Sequence, residues 1–192
     1  MKKEQQRCWL FSINNEIIIP GSVTGNEWIT PVNYHDSLLA RYAGLHASHW
    51  ALLNHEPEHG ISWHRVTAMI DGGDLLCQRS IPVGPHETAE SLNLKCFDEA
   101  LAGFRQLTGD IADKTVHVST QDLSVRSYHG LYDRPEPACV IDFSQDAGYL
   151  SGMSKAMTFF NTGNEFGVPR FNLNGKLVYP AESIKRGGWG DP

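Results

Sequence analysis

A long amphipathic helix is the strongest structural signal in this sequence. Thr88 can cap its first turn, and apolar side chains then recur at steps of three and four residues, the period of one helix face. The apolar positions are Ala89, Leu92, Cys96, Ala100, Phe104 and Leu107, and Leu94, Phe97 and Leu101 widen the stripe. The pattern therefore predicts a helix that begins after Thr88.

Short apolar runs before this helix predict strands. Residues 9–13 predict a buried strand, and residues 16–20, with three consecutive isoleucines, predict its loop exit. Residues 29–35 predict a second strand. Polar side chains cluster at the end of this strand, namely Asn33, His35, Asp36 and Ser37. In open α/β sheets, ligands bind at this end of the strands.

Weaker patterns cover the rest of the central region. Residues 45–53 predict a short helix closed by Pro57 and Gly60. Residues 61–70 and 75–81 predict strands that either pair as a hairpin or flank a loop.

The C-terminal part divides into a connector and a small last region. We expect a core at residues 1–112, a connector at 113–143, and a helix and strand region at 144–192. Ser144 is the predicted cap of the last helix, whose apolar positions are Tyr149, Leu150, Met153, Met157 and Phe160. A final strand is predicted at 176–179, before a disordered tail at 187–192.

Composition narrows the class of protein. With 41% hydrophobic and 20% charged residues in 192, the chain suits one globular domain with a small appendage. A chain with a net charge of −6 has no overall positive potential that would attract phosphate groups, so we expect no nucleic-acid partner. Neither a signal-peptide core nor a membrane span is recognisable. The four scattered cysteines, Cys8, Cys77, Cys96 and Cys139, predict free thiols, and we expect a cytoplasmic protein.

No metal site is predicted, although two histidine patterns suggest one. Residues 55–59 match HExxH, but Pro57 would cost about 3 kcal/mol inside a helix, so we interpret the segment as a surface turn. His46 and His49 have helical spacing without a further ligand, which is typical of a helix surface. Phosphate-binding glycine loops and GxSxG nucleophile motifs are also missing from the sequence.

Two motifs resemble a known family. Residues 33–44, NYHDSLLARYAG, resemble the N-x-H…SLLP…G motif of 10-formyltetrahydrofolate-dependent transferases, and residues 69–74, MIDGGD, resemble their L-D-x-G-D loop. Together they resemble the methionyl-tRNA formyltransferase superfamily, in particular members acting on amino sugars or amino acids. The resemblance covers residues 10–111, with a fainter match at 150–179. It implies an α/β fold: the second half of a Rossmann-like formyltransferase sheet, followed by a small remnant of the accessory domain.

The resemblance also implies a reaction and its catalytic residues. The reaction is transfer of a formyl group from 10-formyltetrahydrofolate to the primary amine of a small-molecule or carrier-bound acceptor. Asn33 can donate a hydrogen bond to the tetrahedral oxyanion. His35 can manage the proton, and Asp71 can either hold the imidazole or accept the proton of the amine.

Folate contacts are implied at two places. The SLLP stretch of the family lines the folate, and the pterin meets groups that follow the preceding strand. The corresponding residues here are Ser12, Ile18, Ile19, Ser37, Leu38, Leu39 and Ala40. Ordinary core packing is an alternative interpretation of the isoleucine run.

The chain departs from the family pattern in two ways. Ala40 replaces the usual proline, so a fixed φ is lost and weaker folate binding is expected. Only Met1 to Cys8 precede the first strand, where the family has about half a sheet, so we expect truncation at the N-terminus and a bare sheet edge. A homo-oligomer or a missing N-terminal segment could cover this edge. The alternative function is a non-catalytic remnant that binds folate weakly or associates with a partner.

Overall fold

The computed structural model describes residues 7–15, 17–136, 138–158 and 166–179. The strands are β1 (Cys8–Ser12), β2 (Ile29–His35), β3 (Ala43–Gly44), β4 (Glu58–Arg65), β5 (Leu75–Pro82), β6 (Tyr128–His129), β7 (Phe171–Leu173) and β8 (Lys176–Val178). The helices are α1 (Gly21–Thr24), α2 (Ala47–Leu53), α3 (Ala89–Asp113) and α4 (Ala147–Met157), with a 3₁₀ turn at Leu123–Val125.

A mixed four-stranded sheet forms the centre of the fold, in the order β1-β2-β4-β5. Strands β1 and β2 are parallel, whereas β2 with β4 and β4 with β5 are antiparallel. The α/β class predicted from the sequence is confirmed. Both arrangements considered for the central strands are observed, since β4 and β5 pair as a hairpin and flank a loop at residues 66–74.

Helix α3 covers one face of this sheet. The main line of its predicted apolar face is confirmed, since Leu92, Cys96 and Leu107 are fully buried in the main core with Trp63 of β4. The prediction was wrong for the positions expected to widen the stripe, because Leu94, Phe97 and Leu101 are exposed. Thr88 caps the helix as predicted, and its side chain accepts a hydrogen bond from the N–H of Ser91. Capping and periodicity thus fix the start and the orientation of α3.

Several predicted boundaries were wrong. Helix α2 begins at Ala47 rather than residue 45, and Gly60 lies inside β4 instead of closing the helix. β4 ends at Arg65, so the next five residues form a loop rather than a strand. Asp146, not Ser144, caps α4. The cause in the last case is local, because the side chain of Ser144 is already bonded to Asp142.

The C-terminal elements lie partly outside the described residues. Helix α4 ends at Met157, and its Ala156 joins the main core. Phe160 and the predicted tail at 187–192 are not described. β8 pairs with β7 as a hairpin, which agrees with the predicted final strand. The three-part division of the chain stays a prediction.

None of the helices in the described part of the chain is long and apolar enough to cross a membrane.

Candidate active site

Three neighbouring strands place polar side chains in one row at the end of β2. Ser12 of β1 pairs with Asn33, and Asn33 pairs with His64 of β4. Asn33 and His35 are two positions apart, so their side chains leave the same face of β2. Tyr34 leaves the opposite face and packs into the core. Strand register therefore decides which polar groups meet.

Asp71 joins this row from the loop between β4 and β5. Its Oδ2 lies 3.7 Å from Nδ1 of His35, and its Oδ1 lies 3.4 Å from Nε2 of His64. Oδ2 also accepts a hydrogen bond of 2.8 Å from the backbone N–H of Gly44. Burial alone raises the pKa of this carboxyl. The two histidines and the N–H of Gly44 outweigh burial and lower the pKa of Asp71 to about 2.

The orientation of His35 is fixed by a backbone carbonyl. Its Nε2 lies 2.7 Å from the carbonyl oxygen of Tyr42. Since a carbonyl oxygen only accepts, Nε2 carries a proton in this arrangement. Nδ1 faces the carboxylates of Asp71 and Asp36, at 3.7 and 4.0 Å. Nδ1 is therefore the nitrogen at which a proton can be exchanged.

His64 is a second histidine that sequence reasoning missed. Its Nδ1 lies 2.9 Å from the carbonyl oxygen of Arg65 and so carries a proton. Its Nε2 lies 3.4 Å from the side-chain nitrogen of Asn33 and 3.4 Å from Asp71. A protonated Nε2 can donate to Asp71, whereas an unprotonated one can accept from Asn33. No local motif marks His64, and only the pairing of β2 with β4 could have indicated it.

A buried polar chain continues behind His35. The hydroxyl of Ser48 lies 3.5 Å from Oδ2 of Asp36 and 3.4 Å from Nε2 of His59. Burial lowers the pKa of His59, and the charge of Asp36 opposes this shift. Asp36 at the end of β2 therefore lies between His35 of the site and the buried His59.

The loop after β2 is held by side chains of the hairpin. The hydroxyl of Ser62 donates to the carbonyl of Ser37 at 2.7 Å and accepts from the N–H of Leu39 at 3.2 Å. Gln78 donates to the carbonyl of Leu39 at 3.0 Å. The hydroxyl of Ser37 is itself used, because it donates to the carbonyl of Arg41 at 2.7 Å. Neither Ser62 nor Gln78 was predicted as part of the site.

The side chains of this loop offer little surface to a ligand. Leu39 and Ala40 are buried, and Leu38 packs against Gly60. The predicted segment thus follows His35 directly, but Leu39 and Ala40 are buried and both backbone groups of Leu39 are already hydrogen-bonded.

The other predicted folate contacts lie at the end of β1. Ser12 is buried beside Asn33, and the side chain of Asn15 donates to its hydroxyl at 3.3 Å. Ile17 and Ile18 are 76% and 80% exposed, and Ile19 is half-buried. The alternative interpretation of this run as core was therefore wrong for Ile17 and Ile18, because no described residue covers them.

The HExxH match does not form a helix. Residues 55–57 form a turn, and Glu58 and His59 open β4. The interpretation as a surface turn was wrong for His59, which is buried against the core side of the site. Within the described ranges, His, Cys, Asp and Glu side chains form no group of three that could hold a metal ion.

The predicted connector contacts the site directly. Gln121 donates to the carbonyls of Asp71 and Gly73, at 2.9 and 2.6 Å, and Arg126 donates to the carbonyl of Ile70 at 2.8 Å. The loop that carries Asp71 is therefore fixed by residues far along the chain. Sequence reasoning missed this because the segment has no periodic pattern.

Comparisons with known proteins identify the family. The family described as formyl transferase matches residues 16–107. A methionyl-tRNA formyltransferase of Geobacter sulfurreducens is 47% identical over 170 residues, which covers 81% of this chain and 50% of that protein. The chain thus spans about half the length of this relative.

Solved structures agree at the level of the fold. A 4-N formyltransferase from Francisella tularensis has a TM-score of 0.78 at 20% identity, covering 93% of this chain and 71% of that one. An N-formyltransferase from Helicobacter canadensis, solved with folinic acid and dTDP-3-aminofucose, has a TM-score of 0.63 at 18% identity, covering 83% and 64%. From its motifs, its fold and its relatives, the chain belongs to the formyl transferase family.

Proposed function

We propose that this chain transfers a formyl group from 10-formyltetrahydrofolate to a primary amine. The observation that carries the proposal is the meeting of Asn33, His35 and Asp71 at the end of β2. Formyl transfer between nitrogens needs an oxyanion donor and a group that moves one proton, and these residue types supply both.

Asn33 stabilises the oxyanion. As the acceptor nitrogen bonds to the formyl carbon, the formyl oxygen gains negative charge. Asn33 is only partly buried, and its side-chain nitrogen lies 3.4 Å from Nε2 of His64, so one N–H can point at this oxygen. Losing one such donor typically costs about 10²–10³-fold in turnover.

His35 moves the proton. Nδ1 takes a proton from the attacking amine and returns it to N10 of the folate as the bond between the formyl carbon and N10 breaks. Asp71 remains ionised, since its pKa of about 2 makes it a poor proton acceptor at neutral pH. Of its two predicted roles, the proposal therefore assigns Asp71 to holding and stabilising the protonated imidazole.

The formyl donor is a substrate, and the site offers suitable surfaces for it. Ile17 and Ile18 expose apolar surface on the loop that Asn15 ties to Ser12. An apolar ring with polar edges, such as a pterin, suits an exposed apolar surface with polar groups nearby.

The acceptor is an amine on a small molecule or a carrier. The Helicobacter canadensis relative was solved with an amino-sugar nucleotide, which supports amino sugars among the candidates. The net charge of −6 disfavours an RNA acceptor, which is usually bound through Lys and Arg.

Donor consumption tests the proposal without knowledge of the acceptor. Purified chain is mixed with 10-formyltetrahydrofolate and a panel of amino sugars, amino-sugar nucleotides and amino acids, and tetrahydrofolate release and formamide formation are measured together. At least one amine should give equal amounts of both products. Folate binding without formamide from any amine would instead favour the non-catalytic remnant.

A further inference from the structure

The segment that follows α3 returns to the site and binds both loops that carry its polar groups. We call residues 119–129 the strap. At one end, the backbone of Ser119 exchanges two hydrogen bonds with Leu75, at 2.8 and 3.0 Å. At the other end, β6 pairs with β3 in parallel, so that Tyr128 lies opposite Ala43 and His129 opposite Gly44.

The short segment 42–44 links the strap to the two catalytic groups. The carbonyl of Tyr42 accepts from Nε2 of His35 at 2.7 Å, and the N–H of Gly44 donates to Asp71 at 2.8 Å. One stretch of three residues thus orients both members of the pair. Any shift of this stretch moves Nδ1 of His35 relative to the carboxylate.

Ser127 of the strap holds this stretch from the other side. Its hydroxyl accepts from the N–H of Tyr42 at 2.7 Å, and its carbonyl accepts from the N–H of Ala43 at 3.0 Å. Together with the bond of 2.7 Å from the hydroxyl of Ser37 to the carbonyl of Arg41, the bond to the hydroxyl of Ser127 fixes the peptide plane before Tyr42, while the carbonyl of Tyr42 fixes His35. The bond to the hydroxyl of Ser127 and the bond to His35 are therefore made by the N–H and the carbonyl of the same residue, Tyr42.

Tyr42 needs this support because its backbone is strained. Its φ of 57° lies in the left-handed region, which a bulky residue adopts only where its surroundings over-determine it. Its phenol is anchored separately, donating to Glu56 at 2.6 Å and accepting from Asn54 at 2.9 Å. Its ring also stacks with His129 of the strap, with centroids 6.0 Å apart.

We propose that Ser127 is a positioning residue for the formyl transfer proposed above. Through the N–H of Tyr42 it keeps the carbonyl of Tyr42 on Nε2 of His35, and so leaves Nδ1 as the working nitrogen beside Asp71. Four groups that can be charged surround this imidazole: Asp36 and Asp71 face it directly, and His59 and His64 lie behind them. Ser127 itself touches no substrate.

The side-chain nitrogen spectrum of His35 tests this directly. The full chain is labelled with ¹⁵N, His35 is assigned by comparison with His35→Gln, and long-range ¹H–¹⁵N correlations report which nitrogen carries the proton. Wild-type protein should show a protonated Nε2. Ser127→Ala should show exchange between the two nitrogens, and Ser127→Thr, which keeps the hydroxyl, should restore the wild-type pattern.

Turnover provides the second readout. Ser127→Ala should lower kcat about 10-fold with KM for the formyl donor nearly unchanged, since a small misplacement of a catalytic group affects mainly the reacting geometry. Ser144→Ala is the matched control, because that exposed hydroxyl only bonds to Asp142. If Ser127→Ala does not fold, Ser127→Cys supplies a weaker acceptor of similar size and should give an intermediate spectrum.

Different results would contradict the proposed function and the positioning role of Ser127. A wild-type chain that formylates no amine contradicts the proposed function, while the spectra still test the positioning role. A folded Ser127→Ala protein whose His35 keeps the wild-type spectrum overturns the role of Ser127, whatever the chain's activity.

Discussion

Asp71 lies with its carboxylate oxygen 3.7 Å from Nδ1 of His35, although two strands and a helix separate the two residues along the chain. The hairpin of β4 and β5 returns the loop to the end of β2, and the strap holds it there. The pair is thus a product of sheet topology, and its charge state should be visible in the stability of the protein.

Acid should destabilise the wild-type chain more than Asp71→Asn. A carboxyl whose pKa is lowered in the folded state stabilises that state above its ordinary pKa, and this stabilisation is lost as the pH falls through the lowered value of about 2. From about pH 5 to about pH 2, wild type should lose about 2 kcal/mol more free energy of unfolding than the variant.

Urea unfolding at several pH values measures this difference. Asp98→Asn is the control, since Asp98 is an exposed carboxylate on α3. Parallel curves for wild type and Asp71→Asn would show that Asp71 is not held in its ionised form by the site.

Gly44→Ala should destabilise the protein by about 2 kcal/mol or more. Gly44 has a φ of 92°, and an added Cβ would lie 2.1 Å from the carbonyl oxygen of His129 in the strap. Turnover should fall as well, because the N–H of Gly44 bonds to Asp71.

The same substitution at Gly109 should have the opposite sign. Gly109 lies inside α3, and an added Cβ meets nothing within 4 Å. Ala at this position should raise the free energy of unfolding by up to about 1 kcal/mol. If the urea midpoints of Gly44→Ala and Gly109→Ala shifted in the same direction, this result would contradict the close approach of the strap to Gly44.

Ala40→Pro should tighten folate binding by a few-fold. A proline restricts the unbound loop, and gains of about 0.4–1 kcal/mol are typical where the native backbone accepts it. Ala40→Gly should weaken binding for the converse reason. Fluorescence titration with tetrahydrofolate measures both, and equal affinities for the three proteins would mean that this loop does not contribute to the folate site.

The isolated chain should self-associate or melt at low temperature. β1 is one of the two outer strands of the four-stranded sheet in the described part of the chain, and Leu10, Ile13, Ile17 and Ile18 expose much of their apolar surface near it. Bare edges and apolar patches of this kind favour association.

Light scattering after size exclusion, with a thermal melt, tests the association. Ile17→Ser with Ile18→Ser should reduce it, whereas Leu94→Ser, at an exposed apolar position on α3, should change it less. A monodisperse wild-type monomer with a cooperative transition at high temperature would contradict the expectation.

Sequence patterns predicted the elements whose signals are local. The apolar period and the cap at Thr88 define α3, and the apolar run of residues 29–35 defines β2 without error. Motif resemblance indicated the family, which the comparisons confirmed. Each of these signals lies within a continuous stretch of the chain.

The partners of these elements could not be predicted in the same way. His64 meets Asn33 through strand register, and Ser127 meets Tyr42 through the return of the strap. No pattern in the sequence around these residues indicates either contact. The isoleucine run could not be placed from its composition either, because hydrophobicity alone does not distinguish a buried residue from an exposed one.

Single-turnover formylation by wild type and Asn33→Ala measures the contribution of Asn33 to formyl transfer. Enzyme in excess over labelled 10-formyltetrahydrofolate is mixed with an amine found active in the acceptor panel, and donor affinity is measured in parallel. The rate of Asn33→Ala should be about 10²–10³-fold lower at nearly unchanged donor affinity, with Asn93→Ala on α3 behaving as wild type. Equal losses of rate and affinity, or no loss of rate, would contradict the assignment of Asn33 as the oxyanion donor.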